Sequence, residues 1–129
     1  MVGTARDTTI GRVGVNATVS GNKYVGGMVG ATKGEVSVSN SYVSGSVGQN
    51  NTDIGAAGLI GYLYPNSNAT AYRSYGRATV ASSSGHDWYG DKDSSSTFTL
   101  TRSYYLADAA STTRYSLSLI HISEPKRPY

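Results

Sequence analysis

The chain has 129 residues, no cysteine, 15% charged residues and a formal net charge of +3. This length holds at most one domain. The lack of cysteine excludes a disulfide framework, thiol catalysis and cysteine metal sites, and no apolar run approaches the roughly 20 residues of a membrane-spanning helix. The 16 glycines and 11 tyrosines, with abundant Ser and Thr, fit a secreted β-rich repeat protein better than a cytosolic enzyme.

Taken in chain order, the elements recur. Met1-Val2-Gly3 is a short apolar run, followed by the alternating pair Thr8/Ile10 and a segment ending at Val19. After the turn formers Gly21-Asn22, Met28-Val29-Gly30 restarts the order, with Val36/Val38, Ser41-Tyr42 and Val47 behind it. Gly48 to Asn51 separates this from Leu59-Ile60-Gly61, the turn Pro65-Asn66-Ser67-Asn68, Ala69/Ala71, Ser74-Tyr75 and Val80. Trp88-Tyr89-Gly90 then leads to Phe98/Leu100, Ser103-Tyr104 and Ala109. Gly3, Gly30, Gly61 and Gly90 are thus equivalent, spaced 27, 31 and 29 residues apart.

Alternation at period two predicts half-buried strands. A period near thirty predicts a solenoid, since no single repeat can bury its own apolar face. The expected fold is all-β, a right-handed parallel β-helix of about four rungs, roughly 20 Å tall at about 4.8 Å per rung. An antiparallel sandwich also has many short strands and turns, and is the competing architecture. Tyr42, Tyr75 and Tyr104 fall in one column, with Gly14 in the first-rung slot, and are expected to stabilise the stack.

Gly27-Met28-Val29-Gly30 and Gly58-Leu59-Ile60-Gly61, each followed by a strand carrying Ser-Tyr, resemble GLUG-motif repeats. The resemblance covers about residues 1–110 and departs from the pattern at His86-Asp87-Trp88-Tyr89-Gly90. It implies an extracellular solenoid of the kind found in bacterial filamentous-haemagglutinin-like adhesins and in repeat regions of some secreted peptidases. It brings no catalytic residues with it.

Residues 117–129 break the composition. Leu117 to Arg127 resembles a translated transposase mosaic-end sequencing adapter, differing only at Lys126. The expected organisation is therefore a solenoid over 1–116, truncated at both ends, and a non-native tail over 117–129 on a fragmentary, metagenomic gene. Met1 sits in the slot of Met28 and reads as an internal methionine, with any signal peptide upstream. Without the tail the net charge falls to +2, so the basic balance says little about nucleic acid.

Candidate chemistry is sparse. His86-Asp87 has no Gly-x-Ser-x-Gly elbow to serve. Asp87, Asp91 and Asp93 are weak calcium candidates with Lys92 among them, against no EF-hand spacing. The Gly motifs lack the lysine and helix of a phosphate loop. The sequons at Asn16, Asn50 and Asn68 fit chance in a chain of this composition. Trp88 and Tyr89, with Tyr62, Tyr64 and Tyr72, suit either the core or a platform for sugar rings. Arg73 and Arg102 precede Ser-Tyr in two rungs, with Arg12 and Asn40 in the matching places. If exposed, they form a basic ladder, joined by Arg77, suited to a sulfated or acidic glycan, with Asp108 as a counter-charge.

The expected function is a non-catalytic repeat segment of a bacterial cell-surface or secreted adhesin. It would supply a rigid stalk and a lateral face for glycans or cell-surface proteins, with no cofactor, nucleic acid or membrane insertion. The alternative is a spacer in a secreted peptidase or other exported enzyme whose catalytic domain lies elsewhere. A glycan-active solenoid would need paired acids at a suitable separation, and the dense acidic group here lies on one loop.

Overall fold

The computed structural model describes residues 1–21, 23–48, 56–80 and 85–105, with the backbone alone at 85 and 86. The first pass of the chain forms β1 (Val2–Gly11) and β2 (Gly14–Val19). The second forms β3 (Val25–Gly26), β4 (Val29–Ser39) and β5 (Tyr42–Val47). The third is cut shorter, into β6 (Ala56–Ala57), β7 (Ile60–Leu63), β8 (Asn68–Tyr72), β9 (Tyr75–Gly76) and β10 (Thr79–Val80). The fourth holds β11 (Gly85–His86), β12 (Tyr89–Lys92), β13 (Thr97–Thr101) and β14 (Tyr104–Tyr105).

Every pairing is parallel, and each joins a strand to its counterpart one repeat away. The molecule is therefore a parallel β-solenoid of about three turns, and the antiparallel sandwich is excluded. Its walls are a sheet of β12-β7-β4-β8-β13 with β1 on β4, a sheet of β10-β5-β9-β14 with β2 on β5, and a narrow sheet of β11-β6-β3. Among the described residues no helix is long and apolar enough to cross a membrane.

The register follows the repeat. Val2, Val29, Ile60 and Tyr89 are aligned, which stacks Gly3, Gly30, Gly61 and Gly90 beside them. Val36 pairs with Ala69 and Ala69 with Phe98; Val38, Ala71 and Leu100 follow two residues on. The offset between paired residues changes at two places within a pass. A bulge between Arg6 and Thr8 shifts the first register, and the turn at Pro65-Asn66 splits into β7 and β8 what β4 runs through in one strand.

Apolar side chains from successive passes fill the interior. Val29, Val38, Val43, Ile60 and Leu63 are wholly buried, and Met28, Leu59 and Trp88 join them at one corner. Large and small residues complement one another between passes. Tyr105 turns inward over Gly76, where a Cβ would come within 2.5 Å of its ring, and its hydroxyl donates to the Ala78 carbonyl at 2.6 Å. Thr8 departs from the expectation of an inward pair. It holds the inward column but is exposed on the outermost pass, with its hydroxyl on the Arg6 carbonyl at 2.6 Å.

Two of the motif glycines, Gly30 and Gly61, answer to a close approach of backbones. The chain entering β3 crosses the wall at Tyr24. A Cβ on Gly61 would stand 2.5 Å from the Tyr24 carbonyl carbon, and one on Gly30 would stand 2.6 Å from the Gly3 carbonyl oxygen. Only a residue without a side chain lets strand and corner pack this tightly.

Candidate functional site

The corner between the broad sheet and the second sheet is built by one residue in each pass. Arg12, Asn40, Arg73 and Arg102 have φ of 56°, 48°, 51° and 47°. A left-handed conformation costs a residue with a Cβ roughly 1–2 kcal/mol, so the corner must be held. The amides of Arg12, Asn40 and Arg73 each donate to a carbonyl of the next pass, on Ser39, Tyr72 and Thr101, at 3.0–3.1 Å.

The serine that follows supplies the second restraint. Ser41, Ser74 and Ser103 are buried. Each hydroxyl donates to the carbonyl two residues back, on Ser39, Tyr72 and Thr101, at 2.8, 3.1 and 2.9 Å. Each also accepts an amide from the preceding pass: Val13 to Ser41 at 3.1 Å, Ser41 to Ser74 at 3.3 Å and Ser74 to Ser103 at 3.0 Å. A shorter ladder of the same kind, Ser67 on Ser96, closes the turns after β7 and β12.

In Ser-Tyr, serine thus fastens the corner and tyrosine, one residue on, points out. Tyr42, Tyr75 and Tyr104 stack with centroids 5.7 and 5.8 Å apart, and Tyr42 lies over Gly14. They remain 44%, 41% and 48% exposed, which makes this ladder part of the outer surface as well as a structural device. The outward positions beside it are Asn16, Ser44 and Arg77, then Thr18, Ser46 and Thr79. Arg12, Arg73, Arg77 and Arg102 are all exposed, and the Arg73 guanidinium stands 5.3 Å from the Tyr72 ring. No acidic residue occupies these outward positions among the described residues. Asp108, the expected counter-charge, lies outside them.

Other expected site residues go elsewhere. Trp88 is 1% exposed, with its ring edge-on to Tyr105 at 5.4 Å; it fills the core beside Leu59 and is not a ligand platform. Tyr89 takes the inward column above Ile60 and packs on Phe98 at 5.1 Å, so it covers the end of the core instead of facing a ligand. Asp87 stands in the slot of Gly27 and Gly58 and is fully buried, its carbonyl accepting the Gly58 amide at 3.0 Å. Asp91 and Asp93 lie on the outside, so the three do not gather round one cation. The Asp93 carboxyl is held below its ordinary value by the Ser95 hydroxyl and amide, helped by Lys92. The side chain of His86, and the residues Asn50, Asn51, Ala109 and 117–129, lie outside the described residues.

One cluster escaped the sequence. Tyr24, itself at φ 58°, stacks on Tyr62 at 4.5 Å, and Tyr64 meets both edge-on at 5.5 and 5.2 Å. Lys33 stands over the Tyr64 ring at 4.8 Å. Partial burial raises the phenol pKa of Tyr24 and Tyr62, reinforced at Tyr24 by Tyr64 and at Tyr62 by Asp93 and Asp91. The outward alternation of Tyr62 and Tyr64 was a signal for half of it. Nothing local announced Tyr24, which arrives from another wall.

Fold and surface of the described residues together define a repeat solenoid with an aromatic, arginine-lined flank. No family model matches the chain, and neither the curated proteins nor the solved structures contain a significant match.

Proposed function

We propose that the chain is a non-catalytic repeat segment of a bacterial cell-surface or secreted adhesin, a rigid stalk that carries a lateral binding face. The observation that carries this is the flank of Tyr42, Tyr75 and Tyr104 bordered by Arg12, Arg73, Arg77 and Arg102. Tyrosine and arginine are, with tryptophan, the side chains enriched in binding hot spots. Here both are repeated on a scaffold whose corners are pinned by buried hydrogen bonds, so the backbone that carries them is ordered before a partner arrives and loses little entropy on binding. Repetition along the column multiplies weak contacts into avidity. The resemblance of the Gly27-to-Gly30 and Gly58-to-Gly61 motifs to GLUG repeats supports the same reading and an extracellular setting.

The test is binding of the chain to a glycan array and to immobilised cell-surface protein, with Arg73→Ala/Arg102→Ala alongside. Signal that drops about tenfold or more in the double variant supports the proposal, given what a hydrogen-bonded charge contributes. Binding at background, or binding indifferent to the two arginines, overturns it.

A further inference from the structure

The geometry points to the class and direction of ligand on this flank, an inference that rests on the lateral-face reading above. We propose that it takes a linear acidic polysaccharide lying along the solenoid axis, with one sugar residue over each pass of the chain.

Three observations converge. The first is charge. Arginines occupy the corner column in passes one, three and four, at Arg12, Arg73 and Arg102, with Asn40 between them and Arg77 beside them. The outward columns next to them hold Gly, Tyr, Asn, Ser, Thr and Arg and no carboxylate among the described residues. A guanidinium matches a carboxylate or sulfate with paired donors and stays charged at any ordinary pH.

The second is spacing. Successive passes are about 4.8 Å apart, close to the roughly 5 Å that each residue adds in an extended β-1,4-linked sugar chain. A chain laid along a single pass would meet two arginines at most, Arg73 and Arg77 on the third. A chain laid along the solenoid axis meets a guanidinium or the Asn40 amide at every step.

The third is how the tyrosines are presented. Their rings stack on one another at 5.7 and 5.8 Å, and Gly14 underlies Tyr42. Ring faces within the ladder are therefore already covered. What the exposed 41–48% offers is ring edge and phenol hydroxyl, a row of donors and acceptors at the pitch of the solenoid. Single-stranded nucleic acid needs open ring faces on which its bases can stack, and this ladder withholds them. A polymer of hydroxyls and carboxylates needs the donors, and the neighbouring Asn16, Ser44, Ser46, Thr18 and Thr79 extend the same polar surface.

The experiment titrates the whole chain, at concentrations where light scattering shows single chains, with β-1,4-oligomannuronates of increasing length, neutral cello-oligosaccharides, and single-stranded DNA of matched charge. Wild type is compared with Arg12→Gln/Arg73→Gln/Arg102→Gln and with Tyr42→Phe/Tyr75→Phe/Tyr104→Phe. The phenylalanine variant keeps the ring stack and removes only the hydroxyls, and far-UV circular dichroism checks that both variants fold. Expected are an affinity that climbs steeply up to four sugars and then flattens, a loss of about tenfold or more in each variant, and no binding of the neutral series. A nitroxide on the reducing end of the tetramer is expected to broaden amide signals at one end of the column, near Gly14 or near Tyr104. Broadening along a single pass, or oligomannuronate binding that ignores the phenylalanine changes and chain length while still needing the arginines, overturns the axial pose and leaves the lateral face standing. DNA binding tighter than the tetramer overturns the ligand class. Failure of every anionic probe overturns both the pose and the face.

Discussion

At the scale of single residues, the serine of each Ser-Tyr pair is the most consequential small side chain. Ser74 Oγ accepts the Ser41 amide and donates to the Tyr72 carbonyl, all within a buried corner. Ser74→Ala strands a buried N–H that has no other described partner, and is expected to cost about 1–3 kcal/mol in urea denaturation. Thr32 poses the opposite case. It is fully buried, its hydroxyl has no acceptor or donor among the described residues, and its column neighbours are Ala5 and Leu63. Thr32→Val keeps the shape and removes the stranded polar atom. The same denaturation series is expected to show a gain of about 1 kcal/mol. The sequence showed Ser-Tyr as a repeated word, but not that its two letters face opposite ways. That division comes from the left-handed residue before them, a backbone property that Arg73 and Arg102 do not advertise, since arginine is not a residue chosen for positive φ.

At the scale of elements, the columns were legible because hydrophobic alternation and glycine spacing are local signals. Val36/Val38 and Ala69/Ala71 could be aligned without knowing the third dimension. Trp88 was ambiguous for a physical reason: a large aromatic at the fourth copy suits a core slot and an exposed platform equally well until its neighbours are placed. Gly58 and Gly76 leave room for Tyr105, whose inward ring meets Trp88 edge-on in the core. The Tyr24, Tyr62 and Tyr64 cluster joins elements from two walls and makes a test of its own. Burial raises the folded-state pKa of Tyr24 and Tyr62 above their ordinary 10.0. A group whose pKa is raised on folding lends stability that is whole below the unfolded value and drains away as pH rises through the folded one. Stability is therefore expected to hold up to about pH 10 and fall beyond it. In thermal melts across that range, Tyr62→Phe is expected to lose less than wild type. An equal loss in both proteins would remove these phenols as its source.

At the scale of the whole molecule, the described residues make a column whose outermost strands each carry an unpaired edge. Among the described residues nothing pairs with the outer edges of β1 and β2 at one end or of β13 and β14 at the other. Val2 is 37% exposed, and Tyr89, Phe98 and Leu100 are only partly covered although they continue the inward columns. Free parallel edges over an unfinished core are templates for further strands, and solenoids ordinarily close them with polar terminal repeats. The chain is therefore expected to self-associate end to end, with light scattering that grows with concentration. A contact of this heterologous kind adds copies without closing on itself. Placing charge on the open end by Phe98→Lys/Leu100→Lys should suppress the scattering while the β signature in circular dichroism persists, because these side chains contact the core from one side only. A wild-type chain that stays monomeric at high concentration and melts in one cooperative step would show that the ends need no partner.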